Sequence, residues 1–157
     1  MYNILHEIYK GVRFMKISSR FSVAVHIISI LQLYGNPMPT SEYIAGSVNT
    51  NPVVIRRILG MLKQAGIVDM KRGTGGAYLV KSVEDITMLD VYKAVDSVED
   101  GKLFQIHENP NPECPVGANI QEVVNVALIS AQDAMEGVLQ KITLADITKN
   151  LSKKIDS

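Results

Sequence analysis

The sequence predicts a mainly α-helical protein with one small β-hairpin and a long helix in its second half, an α+β fold class. Three observations lead to this prediction. Apolar residues recur at helical spacing over most of the chain, two short β-type runs flank a Gly-Thr-Gly-Gly turn at residues 73–76, and Pro115 precedes the longest apolar stripe. With 157 residues and 46% apolar content, the chain has the size of one domain, or of a small domain with an added oligomerisation element.

The first predicted helix covers residues 21–34, where apolar side chains lie on almost every face. This pattern indicates a helix that is buried on most sides, and the Gly-Asn-Pro sequence at residues 35–37 ends it. The run is too short and too often interrupted by polar residues to span a bilayer. Residues 1–14 precede a second methionine, Met15, and we expect them to be an extension, either non-native or a short amphipathic helix.

Two short helices joined by a tight turn are predicted next. Thr40 offers an N-cap hydroxyl for a helix over residues 41–47. Asn51 and Pro52 mark the start of the following helix, with Asn51 as its cap and Pro52 at its first position. Apolar residues then repeat at helical spacing up to Gly66, namely Ile55, Ile58, Leu59 and Leu62. The arrangement predicts a helix-turn-helix.

Residues 67–71 and 77–81 are predicted to be the two strands of the hairpin. Thr87 and Asp90 form a weak capping box for a helix that ends near residue 97, and the following stretch to residue 114 is predicted to be a loop.

Pro115 opens a long helix that is predicted to end near residue 142. Thr143 and Asp146 cap a last short helix, whose lysine-bearing tail is expected to fray. The apolar stripe of the long helix consists of Ile120, Val123, Val124, Ala127, Leu128, Ala131, Ala134, Met135, Val138 and Leu139.

The formal net charge is zero, but the charges are unevenly distributed. Residues 15–81 contain eight Lys and Arg and two acidic residues, a net charge of +6, whereas residues 82–157 contain six Lys and 13 acidic residues, a net charge of −7. A basic half joined to an acidic half is typical of an anion-binding module with a separate regulatory or assembly region, although ordinary charge fluctuation is the alternative. Because the basic half contains the helix-turn-helix, the sequence favours duplex DNA as a partner.

The candidate DNA-binding residues lie around the helix-turn-helix and at the hairpin tip. In such a motif, the start of the second helix contacts base edges, where Asn pairs with adenine, Arg with guanine, and valine with the thymine methyl group. Glycines in a basic hairpin let the backbone approach phosphates. Taken alone, the two arginines could be a solvated helix face and the glycines an ordinary turn. The predicted DNA-binding residues are Thr40, Asn51, Val53, Val54, Arg56, Arg57, Lys71, Arg72, Gly75 and Gly76.

Three segments resemble the Rrf-two family of bacterial winged-helix transcription regulators: MKISSRFSVAVHIISIL from Met15, AGIV after the third helix, and RGTGGAYLV from Arg72. The resemblance covers residues 15 to about 140. It implies a winged helix-turn-helix over residues 15–97, a sensing loop over 98–114, and a dimerisation helix and C-terminal helix over 115–157. It also implies a homodimer on a palindromic operator, with the family's DNA contacts at all the residues named above except Thr40 and Lys71.

The chain departs from the family at the sensing site. Cluster-binding members carry three cysteines six residues apart, and the matching positions here are Lys102, Glu108 and Cys114. Other members add a carboxylate and a histidine from the first helix, where this chain has Ser22 and His26. One thiolate and one imidazole are too few for these sites, so we expect no iron-sulfur cluster, no metal and no other cofactor. A cluster shared across the dimer is the alternative.

Cys114 has two equally favoured interpretations. Pro115 places it at the N-cap of the long helix, where the helix dipole favours a thiolate, so it could sense oxidants or electrophiles. Alternatively, it is simply a small residue in a capping turn. The single cysteine excludes an internal disulfide and is typical of a protein of the reducing cytoplasm.

The predicted function is a dimeric, sequence-specific transcription regulator, a repressor rather than an activator, controlled near residues 99–114. No Ser-His-Asp order, metal-ligand spacing or dinucleotide motif indicates an enzyme. Two alternatives remain: a winged helix that serves as a protein-interaction module, and a small-ligand-binding or electrophile-scavenging protein without DNA affinity.

Overall fold

A computed structural model of the chain describes residues 19–73, 75–95, 104 and 106–157. These residues confirm the predicted fold class, since they are mostly helical and contain one two-stranded antiparallel sheet. The predicted extension at residues 1–14 lies outside the described residues. The elements, in chain order, are α1 (Ser19–Leu33), α2 (Ser41–Val48), α3 (Pro52–Gln64), β1 (Val68–Met70), β2 (Ala77–Leu79), a 3-10 helix (Val83–Asp85), α4 (Met88–Val95), α5 (Pro115–Lys141) and α6 (Leu144–Ile155).

The central element of the core is α1, as its apolar surface on all sides predicts. Ala24, Ile27 and Ile28 are fully buried, and α2, α3, α4, α6 and β2 all pack against this helix. Leu144 of the last helix is buried in the same cluster. The core therefore joins the first half of the chain to its C-terminal helix, while α5 contributes no buried residue to the described part of the fold.

The helix-turn-helix forms where its capping residues predict. Thr40 Oγ1 accepts a hydrogen bond from the Tyr43 N–H at 3.2 Å, and Asn51 Oδ1 accepts one from the Val53 N–H at 2.8 Å. Between the helices, Asn49 has a left-handed backbone with φ of 60°, a conformation that asparagine tolerates better than most residues. The caps and the left-handed Asn49 thereby define the turn that joins the two short helices.

The hairpin is shorter than predicted, because each five-residue run contains a strand of only three residues. Val68 pairs with Leu79 and Met70 with Ala77. Backbone hydrogen bonds continue the pairing one step beyond both ends of the strands, from the Val80 N–H to the Ile67 carbonyl and from the Lys71 N–H to the residue 76 carbonyl.

Reciprocal hydrogen bonds cap the later helices. Thr87 and Asp90 exchange side-chain and backbone hydrogen bonds at 2.9 and 3.1 Å before α4, and Thr143 and Asp146 do the same at 3.0 and 3.2 Å before α6. The prediction that the lysine-bearing tail frays was wrong, because the last helix continues to Ile155. The 3-10 helix was not predicted, and the predicted end of α4 near residue 97 lies outside the described residues.

Within the part of the chain that the structure describes, no helix combines the length and the apolar character that crossing a membrane requires.

Candidate nucleic-acid interface

α3 has one face in the core and one in solvent. Its buried residues are Ile55, Ile58, Leu59 and Leu62. The predicted DNA-contacting residues of this helix all lie on the exposed side: Asn51, Val53, Val54, Arg56 and Arg57. Val53 is 64% exposed at the first turn, where an aliphatic side chain is available to contact a thymine methyl group.

Asn51 combines a structural role with the predicted base contact. Its Oδ1 accepts the hydrogen bond from Val53 that begins α3, which uses one lone pair of the carbonyl oxygen and leaves the two N–H donors of its Nδ2 for a base edge. A change at Asn51 therefore affects both the helix start and the predicted contact.

The two arginines of α3 differ in their surroundings. Arg56 forms an ion pair with Glu42 of α2, and both side chains are more than half exposed. The pKa of the Glu42 carboxyl lies below its ordinary value because its own backbone N–H and then Arg56 stabilise the charged form. Arg57 is exposed and forms no ion pair with any described residue. Arg57 is therefore better placed to contact a guanine, whereas Arg56 joins the two helices of the motif.

The hairpin tip carries the second set of predicted contacts. Lys71 and Arg72 are exposed and have no carboxylate partner in the described ranges. Gly73 and Gly75 have φ of 89° and 69°, left-handed values that favour glycine. The turn therefore projects a lysine and an arginine from a backbone with little side-chain bulk.

Gly76 fixes the hairpin to the helix-turn-helix. It is buried and pairs with Thr40 in an isolated β-bridge, and the neighbouring Ala77 N–H donates to the Pro39 carbonyl at 3.1 Å. A Cβ at residue 76 would lie 2.7 Å from the Cβ of Met38. The close approach of these two backbones is sufficient to explain why residue 76 is a glycine. The predicted DNA contact of Gly76 therefore stays a prediction.

Sequence patterns do not identify three residues that determine this geometry: Glu42, Met38 and Pro39. Each acts on a residue 14 or more positions away in the chain. No motif or local periodicity signals such a contact, because it depends on how the elements pack.

Cys114 occupies the N-cap position of α5, as predicted, and is exposed. Its sulfur accepts no hydrogen bond of ordinary capping geometry, yet the backbone N–H groups of Gly117 and then Val116 hold the pKa of its thiol below the ordinary value. Gly117 is required here because a Cβ would collide with the Asn111 carbonyl oxygen. The loop also contacts α5 through a 2.8 Å hydrogen bond from Gln121 Nε2 to the carbonyl of His107.

Near this loop, the described residues offer one thiolate, Cys114, as a ligand for an iron-sulfur cluster. No three His, Cys, Asp or Glu side chains converge as metal ligands anywhere in the described residues. Glu108 is exposed, and Lys102 lies outside the described ranges. On α1, His26 Nε2 lies 3.0 Å from Ser47 Oγ, and the Ser22 hydroxyl donates to the Ser19 carbonyl at 3.0 Å. These two side chains therefore already have partners within the protein.

Comparison with known proteins places this geometry in a family. Residues 17–150 match Rrf2, the Rrf-two family, which is described as iron-dependent transcriptional regulators. The HTH-type transcriptional regulator YwnA of Bacillus subtilis is 46% identical over 135 residues, which cover 86% of this chain and 98% of YwnA.

Two solved structures share the fold. One is the crystal structure of a DNA-binding protein that is 40% identical, with a TM-score of 0.66 over 82% of this chain and 97% of that one. The other is a transcriptional regulator from Lactobacillus plantarum that is 26% identical, with a TM-score of 0.71 over 85% and 89% of the two chains. These relatives are regulators rather than enzymes, and DNA is the partner that they indicate. The chain belongs to the Rrf2 family of winged-helix transcriptional regulators.

Proposed function

We propose that this protein is a cytoplasmic, homodimeric repressor that binds a palindromic operator through α3 and the wing, the hairpin of β1 and β2. The observation that carries the proposal is the exposed surface of α3 around Val53 and Arg57, together with the projecting Lys71 and Arg72 of the wing. A helix start with apolar and guanidinium groups suits the major groove, and cationic wing residues suit the phosphates or the minor groove.

The proposed dimer interface is an exposed apolar face of α5, which shares Val123, Ala127, Ala134 and Val138 with the predicted stripe and adds Val116. Val116, Val123, Ala127, Ala134 and Val138 are separated by seven, four, seven and four residues, which places them on one face of the helix. All five are exposed, and the two valines at 116 and 123 are 68% and 67% exposed. A second copy of the helix would cover this face, and the alanines would permit close approach of the two backbones.

A two-fold symmetric dimer determines the form of the operator. Its two copies of α3 would contact half-sites about one helical turn apart, roughly 10 base pairs. Bound across a promoter, such a dimer would repress by occluding the polymerase.

The test of this proposal is selection of bound sequences from a random duplex library by the purified protein. We expect an inverted repeat with the spacing given above, and the Arg57→Ala variant should lose base preference at one position in each half-site. A reporter placed behind the selected operator should then be repressed. An unenriched library, or a consensus without an inverted repeat, would contradict the proposed binding mode.

We further propose that oxidation of Cys114 weakens operator binding without an iron-sulfur cluster. The Cys114 thiolate would attack one oxygen of hydrogen peroxide, so that an S–O bond forms as the O–O bond breaks. Hydroxide would depart as the leaving group, and the cysteine would become a sulfenic acid. The low pKa of the thiol supports this chemistry because the thiolate is the nucleophile.

The oxidation proposal is tested on the reduced protein and the Cys114→Ser variant. The parent should lose DNA affinity after peroxide treatment and recover it with a thiol reductant, while the variant should keep its affinity throughout. Protein prepared without oxygen should contain no stoichiometric iron. Equal responses of both proteins to peroxide would exclude Cys114 as the sensor.

A further inference from the structure

A cleft with a volume of about 760 Å³ lies between the end of α1 and the start of α2. This volume is within the range of small-molecule binding sites, which runs from roughly 300 to 1,000 Å³. The residues that form it, from Gln32 to Tyr43, belong neither to the loop around Cys114 nor to the apolar stripe of α5. Of the ten lining residues, Thr40 is the one that belongs to the predicted DNA-binding set, and the proposed regulator makes no other use of the cleft.

The lining of the cleft is aromatic and uncharged. Tyr34 and Tyr43 are 50% and 55% exposed, and Met38 is 38% exposed. Two prolines, Pro37 and Pro39, add rigid apolar surface. None of the ten lining residues, all of them in the described part of the chain, carries a formal charge at neutral pH.

We propose that this cleft binds a small, uncharged aromatic molecule and that its occupation displaces the wing. Tyrosine rings favour offset or edge-to-face contact with another aromatic ring, and the methionine sulfur adds a favourable contact at the ring edge. An ionised ligand would lose hydration without meeting a counter-charge, so the lining selects a neutral one.

The wall of the cleft is the same segment that holds the wing. Met38, Pro39 and Thr40 line the cavity, while the Pro39 carbonyl accepts the hydrogen bond from Ala77 and Thr40 forms the β-bridge with Gly76. A ligand that displaces Met38 therefore moves the base of the hairpin. Only the consequence for DNA binding rests on the proposed function, since binding in the cleft does not require DNA.

The experiment uses the full chain and the neutral fluorescent probe N-phenyl-1-naphthylamine, whose emission rises in apolar surroundings. The parent is compared with Tyr34→Ala and Tyr43→Ala. The matched control is Tyr78→Ala, which removes a 39% exposed tyrosine of β2 that does not line the cleft. Urea midpoints check that each variant is folded, and Tyr34→Phe keeps the ring while removing the hydroxyl.

Loss of one tyrosine ring should weaken probe binding about 3- to 10-fold, whereas the control and the phenylalanine variant should bind as the parent does. In NMR spectra of protein with labelled methionine methyl groups, Met38 should shift on probe binding and Met61 should not. Amide resonances of Gly76 and Ala77 should also shift, which reports the displacement of the wing.

Equal probe affinity in the parent and both alanine variants, or an unperturbed Met38 signal at saturation, would overturn the binding site. Unshifted amides at residues 76 and 77 would overturn the coupling. The operator assay is separate: a protein that binds the probe in the cleft but binds no duplex would refute the proposed function and leave the binding site standing.

Discussion

Gly76→Ala is the substitution that most directly tests how the wing is held. The new Cβ would lie 2.7 Å from the Met38 Cβ and 3.2 Å from its carbonyl oxygen, whereas carbon atoms in contact prefer about 3.5–4.0 Å. The residue 76 backbone or the residue 38 backbone must therefore move by about 1 Å. Such overpacking costs about 1–3 kcal/mol, which corresponds to a Tm lower by roughly 2–12 °C in a domain of this size.

The matched control is Gly60→Ala within α3, where an added Cβ meets no atom within 4 Å. Because alanine favours the helix interior, this variant should gain about 0.5–1 kcal/mol. Thermal and urea unfolding at one protein concentration measures both variants. If Gly76→Ala were as stable as the parent, the close packing of residues 38 and 76 would not hold the wing, and the reasoning would fail.

Three further predictions concern the interface, the dimer and the last helix. Arg57→Ala should cost about 1–3 kcal/mol on the selected operator, measured by fluorescence anisotropy, and Arg56→Ala should change base preference less because its guanidinium pairs with a carboxylate. Val123→Asp should give monomers in analytical ultracentrifugation, whereas Ile129→Asp, about 120° around α5 and 53% exposed, should remain dimeric. The pKa of Asp146 is lowered by hydrogen bonds from the residue 143 backbone and side chain. The ionised carboxylate should therefore stabilise the fold fully at pH values above the unfolded-state pKa of 3.8. This stabilisation should disappear as the pH falls through the lower pKa of the native state. Urea unfolding of Asp146→Asn should lack this part of the acid dependence.

Capping residues were the most reliable signals in the sequence. Thr40 and Asn51, like the Thr143 and Asp146 pair, act through hydrogen bonds that span two or three residues. A local contact of this kind needs no knowledge of the rest of the fold, so the starts of these capped helices could be predicted to within a residue. The family motifs then identified the family itself.

Contacts between distant residues could not be predicted in this way. From the sequence alone, Arg56 and Arg57 are equivalent candidates for base contact. The packing of α2 against α3 distinguishes them, because it brings Glu42 to Arg56. The bridge between Thr40 and Gly76 likewise joins two segments 36 residues apart, and no period-two pattern indicates it. The aromatic cleft is formed within residues 32–43, but no sequence motif or periodicity indicates a cavity there.

The wing itself is too small to fix its own orientation. Two three-residue strands form an isolated hairpin, and such hairpins are marginally stable in water at best. Its base is instead held by burial of Val68 and Ala77 in the core and by hydrogen bonding to the segment before α2. The position of Arg72 relative to α3 is therefore determined by residues that need not touch DNA. A change in that segment should alter affinity for all duplexes through the wing, while a change at Arg57 alters preference among them.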